Sequence, residues 1–213
     1  MKKISKAERF FTEKEKDAIK EATRLAESRT IGEIAVMVVD SSDNYLDAEI
    51  IGGILLGSLL ALILTVTYFH LSVWFYVPMS FIFFFPFRFL FKKAPALKSA
   101  FIGIKRKEDA VRLRAIRAFY EKGLYKTKKN TGVLFFISLI EHKVWVLADK
   151  GIYEKIEQET LNKFAGNISQ GIKEGRACDA LCENIKEAGG LLAKHFPITK
   201  GDIDELPDGV ITE

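Results

Sequence analysis

Carboxylates are the only side chains in this 213-residue sequence whose placement suggests a chemical site. Residues 34–39 and 132–139 are short apolar runs that read as strands, and a third run follows over residues 143–148. With the first two strands parallel, Asp40 and Asp43 fall at the same sheet end as Glu141 and His142. That is the carboxyl end, where open α/β sheets take their ligands. Oxygen donors of this kind suit Ca²⁺ or Mg²⁺. A second set, Glu33 and Asp149, falls at the opposite end, on the first and third strands. For both sets the competing reading is plain: acids at strand ends form turns and stay solvated.

Other chemistry is thin. The sequence has no P-loop, no dinucleotide glycine fingerprint, no His/Cys metal spacing and no nucleophile elbow. Cys178 and Cys182 stand four apart beside the apolar stripe of an expected helix, as two buried thiols of a reducing compartment would. His70, His142 and His195 have no evident partner, and His195 reads as a favourable charge at a helix C-terminus. With 32 basic and 28 acidic residues, the net charge of +4 does not argue for a nucleic-acid partner.

The elements that would position these acids are interrupted by residues 48–91. No charge occurs over residues 50–69, and the apolar run over residues 73–91 contains only Arg88. Each arm holds about 20 apolar residues, enough as a helix to cross a ~30 Å hydrocarbon core. In lipid every backbone amide needs an internal partner, so two such arms must be helical. The stretch therefore reads as a transmembrane hairpin with the lipid bilayer as its partner. Tyr68, Trp74 and Tyr76 flank its turn, where interfacial aromatics belong. Gly53, Gly57 and Ala61 stand four apart on one face and permit close approach of a second helix. That helix is the second arm or, in a homo-oligomer, another copy of the chain. Pro78 and Pro86 should kink the second arm without ending it.

Flanking charge gives the hairpin an orientation. Asp40, Asp43, Asp47 and Glu49 lead into it without a basic residue. Arg88, Lys92, Lys93, Lys98, Lys105, Arg106 and Lys107 follow without an acid. Lys and Arg mark the cytoplasmic side, and a hairpin returns the chain to the side it left. Both globular parts and both termini are then expected in the cytoplasm, on the cell (inner) membrane. Lys92, Lys93, Lys98, Arg106 and Arg114 become membrane-surface residues, each worth about 1 kcal/mol near anionic headgroups. A solvated helix face with local ion pairs is the alternative. Residues 1–11 carry Lys2, Lys3, Lys6 and Arg9 with no apolar core after them, so they read as a solvated lead-in and not a secretory signal.

Outside residues 48–91 about 170 residues remain, enough for one compact domain. Thr12 and Glu15 have capping-box spacing before a helix striped by Ala18, Ile19, Ala22, Leu25 and Ala26. A basic helix over residues 105–120 points Val111, Ala115, Ile116 and Phe119 inward and Arg106, Arg112, Arg114 and Arg117 outward. After the strand pair, two amphipathic helices separated by Gly175 run to Pro197. The expected fold is α/β: a small three-layer α/β/α sandwich with a mixed sheet and an inserted two-helix transmembrane hairpin. Residues 1–47 and 92–199 make the α/β domain, residues 48–91 the insertion, and residues 200–213 an acidic tail.

These segments carry a resemblance. Thr30-Ile31-Gly32-Glu33-Ile34 opening the first strand, Thr131-Gly132-Val133 opening the second, and the strand, acid and glycine turn of residues 144–151 resemble the TPM domain. Residues 41–49, the basic helix, residues 176–196 and the tail Glu205-Leu206-Pro207-Asp208 are similar to bacterial TPM proteins with a membrane hairpin after the first strand. The resemblance implies one of two functions. One is an auxiliary, assembly or repair module for an unidentified membrane protein complex, after the photosystem-repair and receptor-auxiliary members. The other is a divalent-metal-dependent acid phosphatase, an activity proposed for the family. Many members are exported with the membrane segment at one end, and this chain departs from them on both counts. The matching motifs bring no catalytic residue with them.

Overall fold

In the computed structural model the described residues are 5–68, 72–127, 129–199 and 208–213. His70 and the Glu205-Leu206-Pro207 part of the tail motif lie outside them. The chain divides into two units, residues 1–42 with 108–213, and residues 43–107. In chain order the elements are α1 (Glu13–Glu27), β1 (Glu33–Val39), α2 (Leu46–Tyr68), α3 (Val73–Lys93), α4 (Pro95–Ala100), α5 (Ile104–Glu121), β2 (Gly132–Ser138) and β3 (Lys143–Ala148). They continue with α6 (Lys150–Tyr153), α7 (Gln158–Lys173), α8 (Ala177–His195) and β4 (Ile211–Thr212).

The first unit is built on a mixed four-stranded sheet of order β3-β2-β1-β4 with helices on both sides. β1 is parallel to β2 and to β4, and β2 is antiparallel to β3. All seven residues of β1 and of β2 are buried, as their unbroken apolar runs require of strands covered on both faces. β3 alternates between buried and half-buried residues and forms one sheet edge. Side chains alternate across the pleat, so β1 serves two cores. Ile34, Val36 and Val38 join Ile19, Ala22 and Ala26 of α1 and the apolar stripes of α7 and α8. Ala35, Met37 and Val39 join Val111, Ala115, Ala118 and Phe119 of α5.

Three features differ from the sequence reading. The tail supplies a fourth strand, β4, whose two residues are too few to show a period. Residues 5–11 are packed: Ala7 and Phe11 are buried in the larger core, four apart on one side of a turn. Arg114 does not point freely outward but bonds Glu213 and, at 3.1 Å, Glu121. Elsewhere local signals hold. Thr12 Oγ accepts from the Glu15 N–H at 3.3 Å while the Glu15 carboxylate accepts from the Thr12 N–H at 2.7 Å, which closes the capping box on α1.

In the second unit α2 and α3 are long and apolar enough to cross a membrane, by length and composition. α3 continues unbroken through Pro78 and Pro86. The buried face of α2 comprises Ala48, Glu49, Gly52, Gly53, Gly57, Ala61 and Thr65. A Cβ on Gly57 would lie 3.0 Å from the backbone nitrogen of Phe84 in α3, and one on Gly53 3.2 Å from the backbone of Arg88. The small residues thus bring two backbones of the same chain together.

The same device joins α1 and α8, where a Cβ on Gly189 would sit 2.5 Å from that of Ala26 and 2.9 Å from its Cα. Gly189→Val should therefore push the helices apart and destabilise the first unit by about 1–3 kcal/mol, the usual cost of overpacking. Thermal melting of the purified protein checks this, and an unchanged transition would refute the contact.

Candidate functional site

At the carboxyl end of the sheet, the β2–β3 turn places Glu141 against the segment that leaves β1. Its carboxylate is buried and accepts three donors: the Ser138 hydroxyl, the Ser41 hydroxyl at 3.2 Å and the Ser42 N–H at 3.0 Å. Ser42 also donates to the Ser138 hydroxyl at 2.8 Å. A buried carboxylate is tolerated when its lone pairs are filled in this way. Glu141 therefore ties the end of β2 to the end of β1. Asp40 accepts the Ala7 N–H at 2.6 Å, and its own N–H donates to the Glu213 carbonyl at 3.1 Å. Asp43 belongs to the second unit, where it accepts from Arg106 at 2.7 Å. His142 takes a left-handed turn conformation, φ 52°. Among the described residues no group of three or more His, Cys, Asp or Glu side chains is placed to hold a metal ion.

At the amino end Glu33 and Asp149 flank Gly132. The Glu33 N–H donates to the Thr131 carbonyl at 3.2 Å and the Asp149 N–H to the Gly132 carbonyl at 2.9 Å. Glu33 is buried. Asp149 caps α6, one oxygen accepting the Lys150 N–H at 2.7 Å, and its other oxygen is buried without a hydrogen-bond partner among the described residues.

An acid with no signal in the sequence is strongly perturbed in the first unit. Glu27, in the last turn of α1, accepts the Ile34 N–H of β1 at 2.6 Å. Burial, assisted by the neighbouring charge of Glu33 and by contact with Asp208, pushes its carboxyl up to about 9, against the opposing pull of that N–H. Nothing in the sequence marks this pair, because Asp208 reaches Glu27 only through the return of the tail beside β1.

The remaining expected site residues are distributed as follows. Lys98 forms a buried pair with Glu49 at 2.5 Å and also donates to the Asn44 carbonyl. Arg106 is held by Asp43, while Lys92 and Lys93 are exposed, the Lys93 ammonium 4.4 Å from the Phe89 ring centroid. Cys178 and Cys182 are half-buried at the margin of the larger core. Burial first, then the adjacent Cys182, pushes the Cys178 thiol up to about 12, and burial raises Cys182 as well. Thiols raised this far are poor nucleophiles at neutral pH.

Residues 101–190 match the family model of the TPM domain. Over that segment the chain is similar to the TPM domain. In structure it is similar to the BA42 protein of the psychrophilic bacterium Bizionia argentinensis, solved by NMR, with 24% identity, full coverage of both chains and a TM-score of 0.61. That likeness is one of fold. No curated protein matches the chain. The matched TPM segment contains Glu141, Asp149 and both cysteines, whereas Glu27, Glu33 and Asp40 precede it.

Glu27 should give the sheet unit a pH-dependent stability. Its folded-state carboxyl is raised from 4.5 to about 9, so the folded chain keeps a proton that the unfolded chain releases in between. The associated stability is complete below pH 4.5 and is lost as pH rises through about 9. Glu27→Gln keeps an acceptor for the Ile34 N–H and removes the titration. Melting temperature across this range should fall less steeply for the variant than for the native protein. Parallel profiles would refute the assignment.

Proposed function

We propose that this protein is a membrane-anchored TPM-domain module that serves another membrane protein complex in an auxiliary, assembly or repair role. In this reading α2 and α3 span the cell membrane. The observation that carries the anchor is how the two helices satisfy their polar side chains. Ser58, Thr65, Thr67 and Ser80 each donate to a carbonyl of their own helix: Leu55 at 3.2 Å, Ala61 at 2.7 Å, Ile63 at 2.9 Å and Val77 at 2.7 Å. A medium without water demands such internal pairing of every donor. Around these groups Ile54, Leu59, Ile63, Phe81, Ile82 and Phe85 are at least half exposed. An apolar surface of this extent is stable in lipid and is a liability in water.

The charges at the base of these helices support the orientation. Glu49 with Lys98 and Asp43 with Arg106 pair residues at or just before the start of α2 with residues that follow α3, so both ends of the helix pair lie together within the unit. The Lys and Arg excess after α3 then favours a cytoplasmic location for the segments on both sides. The three protein donors on Glu141 favour a holding module over a hydrolase that would need that carboxylate for a cation.

Two measurements test the proposal. A reporter active only outside the cytoplasm should be silent when fused after Glu213 and active when inserted at Leu71; activity of the C-terminal fusion would overturn the orientation. Added Ca²⁺ or Mg²⁺ should leave the melting temperature of the purified protein unchanged. A bound ion at a hundredfold excess over its dissociation constant would add about 2.7 kcal/mol. Stabilisation of that size, abolished in an Asp40→Asn, Glu141→Gln double variant, would replace the module reading by the metal-dependent one.

A further inference from the structure

The outward side of α5 carries an apolar stripe that the TPM core does not use. Val111, Ala115, Ala118 and Phe119 face the sheet and are buried. On the opposite side Leu113 is 62% exposed and Tyr120 58% exposed, seven residues and therefore about two turns apart. Half-buried Ile116 lies between them on the same flank. The stripe continues past the helix end, where the Tyr125 ring stacks at a tilt on Tyr120 with centroids 5.3 Å apart. Arg112 and Arg117 border the stripe on the helix and are exposed, and Lys126 places its ammonium 5.7 Å from the Tyr125 ring centroid. Asp109 is the exposed acid on this face, while Glu121 is taken by Arg114.

We propose that this face of α5, with Leu113, Ile116, Tyr120 and Tyr125 as its apolar centre and Arg112, Arg117 and Lys126 as its rim, docks on a bilayer surface rich in anionic lipid. Charge complementarity selects that occupant. Three cations against one acid surround a stripe too narrow to bury a protein partner, and tyrosine with leucine is the composition that settles at headgroup level. Two arginines and a lysine in this setting meet lipid phosphates without stripping any ion pair formed among the described residues, whereas Arg106 and Arg114 of the same helix are already held by Asp43 and by Glu121 and Glu213. The inference rests on the membrane reading above, because without an anchor three basic residues and a short stripe would bind lipid weakly and reversibly. With the anchor in place docking is an intramolecular step and needs little affinity. Its consequence is functional: it would fix which side of the TPM domain remains open to a protein partner, leaving α7, α8 and α1 free.

The test uses the full chain in lipid nanodiscs, with Cys178 and Cys182 replaced by alanine and a single cysteine introduced as Leu113→Cys or, for comparison, Lys173→Cys on α7. Each is labelled with an environment-sensitive fluorophore. In discs containing phosphatidylglycerol the label at position 113 should be blue-shifted, shielded from aqueous iodide and quenched by lipid-borne nitroxide, and the label at position 173 should show none of these. Discs of phosphatidylcholine alone, or Arg112→Ala with Arg117→Ala, should lose most of the protection. Each basic residue near an anionic surface shifts the docked-to-undocked ratio about fivefold, so the double variant should shift it roughly 25-fold. Added salt should act in the same direction. Iodide access at position 113 equal to that at position 173 in anionic discs would overturn the proposal. Protection that persists in detergent micelles would also overturn it, by assigning the face to a protein contact. Failure of the chain to enter discs at all would instead refute the membrane anchor, so the two readings fail separately.

Discussion

β1 is buried on both faces, and such a strand must find a partner for every amide along both of its edges. The first unit is arranged around that requirement. One edge is met in full by β2, in register from Glu33–Gly132 to Val39–Ser138. The other is met piecemeal. β4 covers only Met37 and Val38, the Glu213 N–H reaches the Val38 carbonyl at 3.2 Å, and the Asp40 N–H finds the Glu213 carbonyl. Below β4 the Ile34 N–H would be left unpaired, and the Glu27 carboxyl takes it. That acceptor has to be buried beside Glu33 and Asp208, and so it holds its proton to alkaline pH. A short tail strand, a helix end and a displaced titration are thus consequences of one uncovered strand edge.

The second unit is stabilised under a different rule. Its helices bring backbones together with glycine and alanine, return each serine and threonine hydroxyl to their own carbonyls, and leave large apolar side chains outward. Where the chain departs from this pattern it neutralises the exception, as with Glu49 in the first turn of α2 and its lysine partner Lys98. A desolvated carboxylate without such a partner would be strongly destabilising. The two units therefore obey the solvents that the proposed function assigns them, water for the sheet and lipid for the helix pair.

The acids have structural partners that limit their chemistry. Glu141 closes the end of the sheet through three donors, Asp40 holds the packed N-terminal turn, and Asp149 caps a helix. Acids at strand ends are expected to do this work, and here it ties together segments some 100 residues apart in sequence. A module that holds another protein needs such rigidity more than it needs a free carboxylate.

What the sequence by itself determined was whatever depends on neighbours along the chain. The capping box of Thr12 and Glu15, the two fully buried strands, the β2–β3 turn, the break at Gly175 and the small-residue face of α2 all follow from local spacing. So does the inserted position of the helix pair, which composition alone marks. Only the tertiary structure decided the rest, since it depends on which distant segments meet. β4 is two residues long and becomes a strand because β1 has an edge to fill. Arg114 turns inward because Glu213 arrives beside it, and Lys98 and Arg106 pair with acids about 50 and 60 residues earlier. Glu27 has no signal of its own in the sequence. Burial, with Glu33 beside it and Asp208 brought in by the returning tail, is what raises its carboxyl, and no periodicity in the chain encodes that meeting.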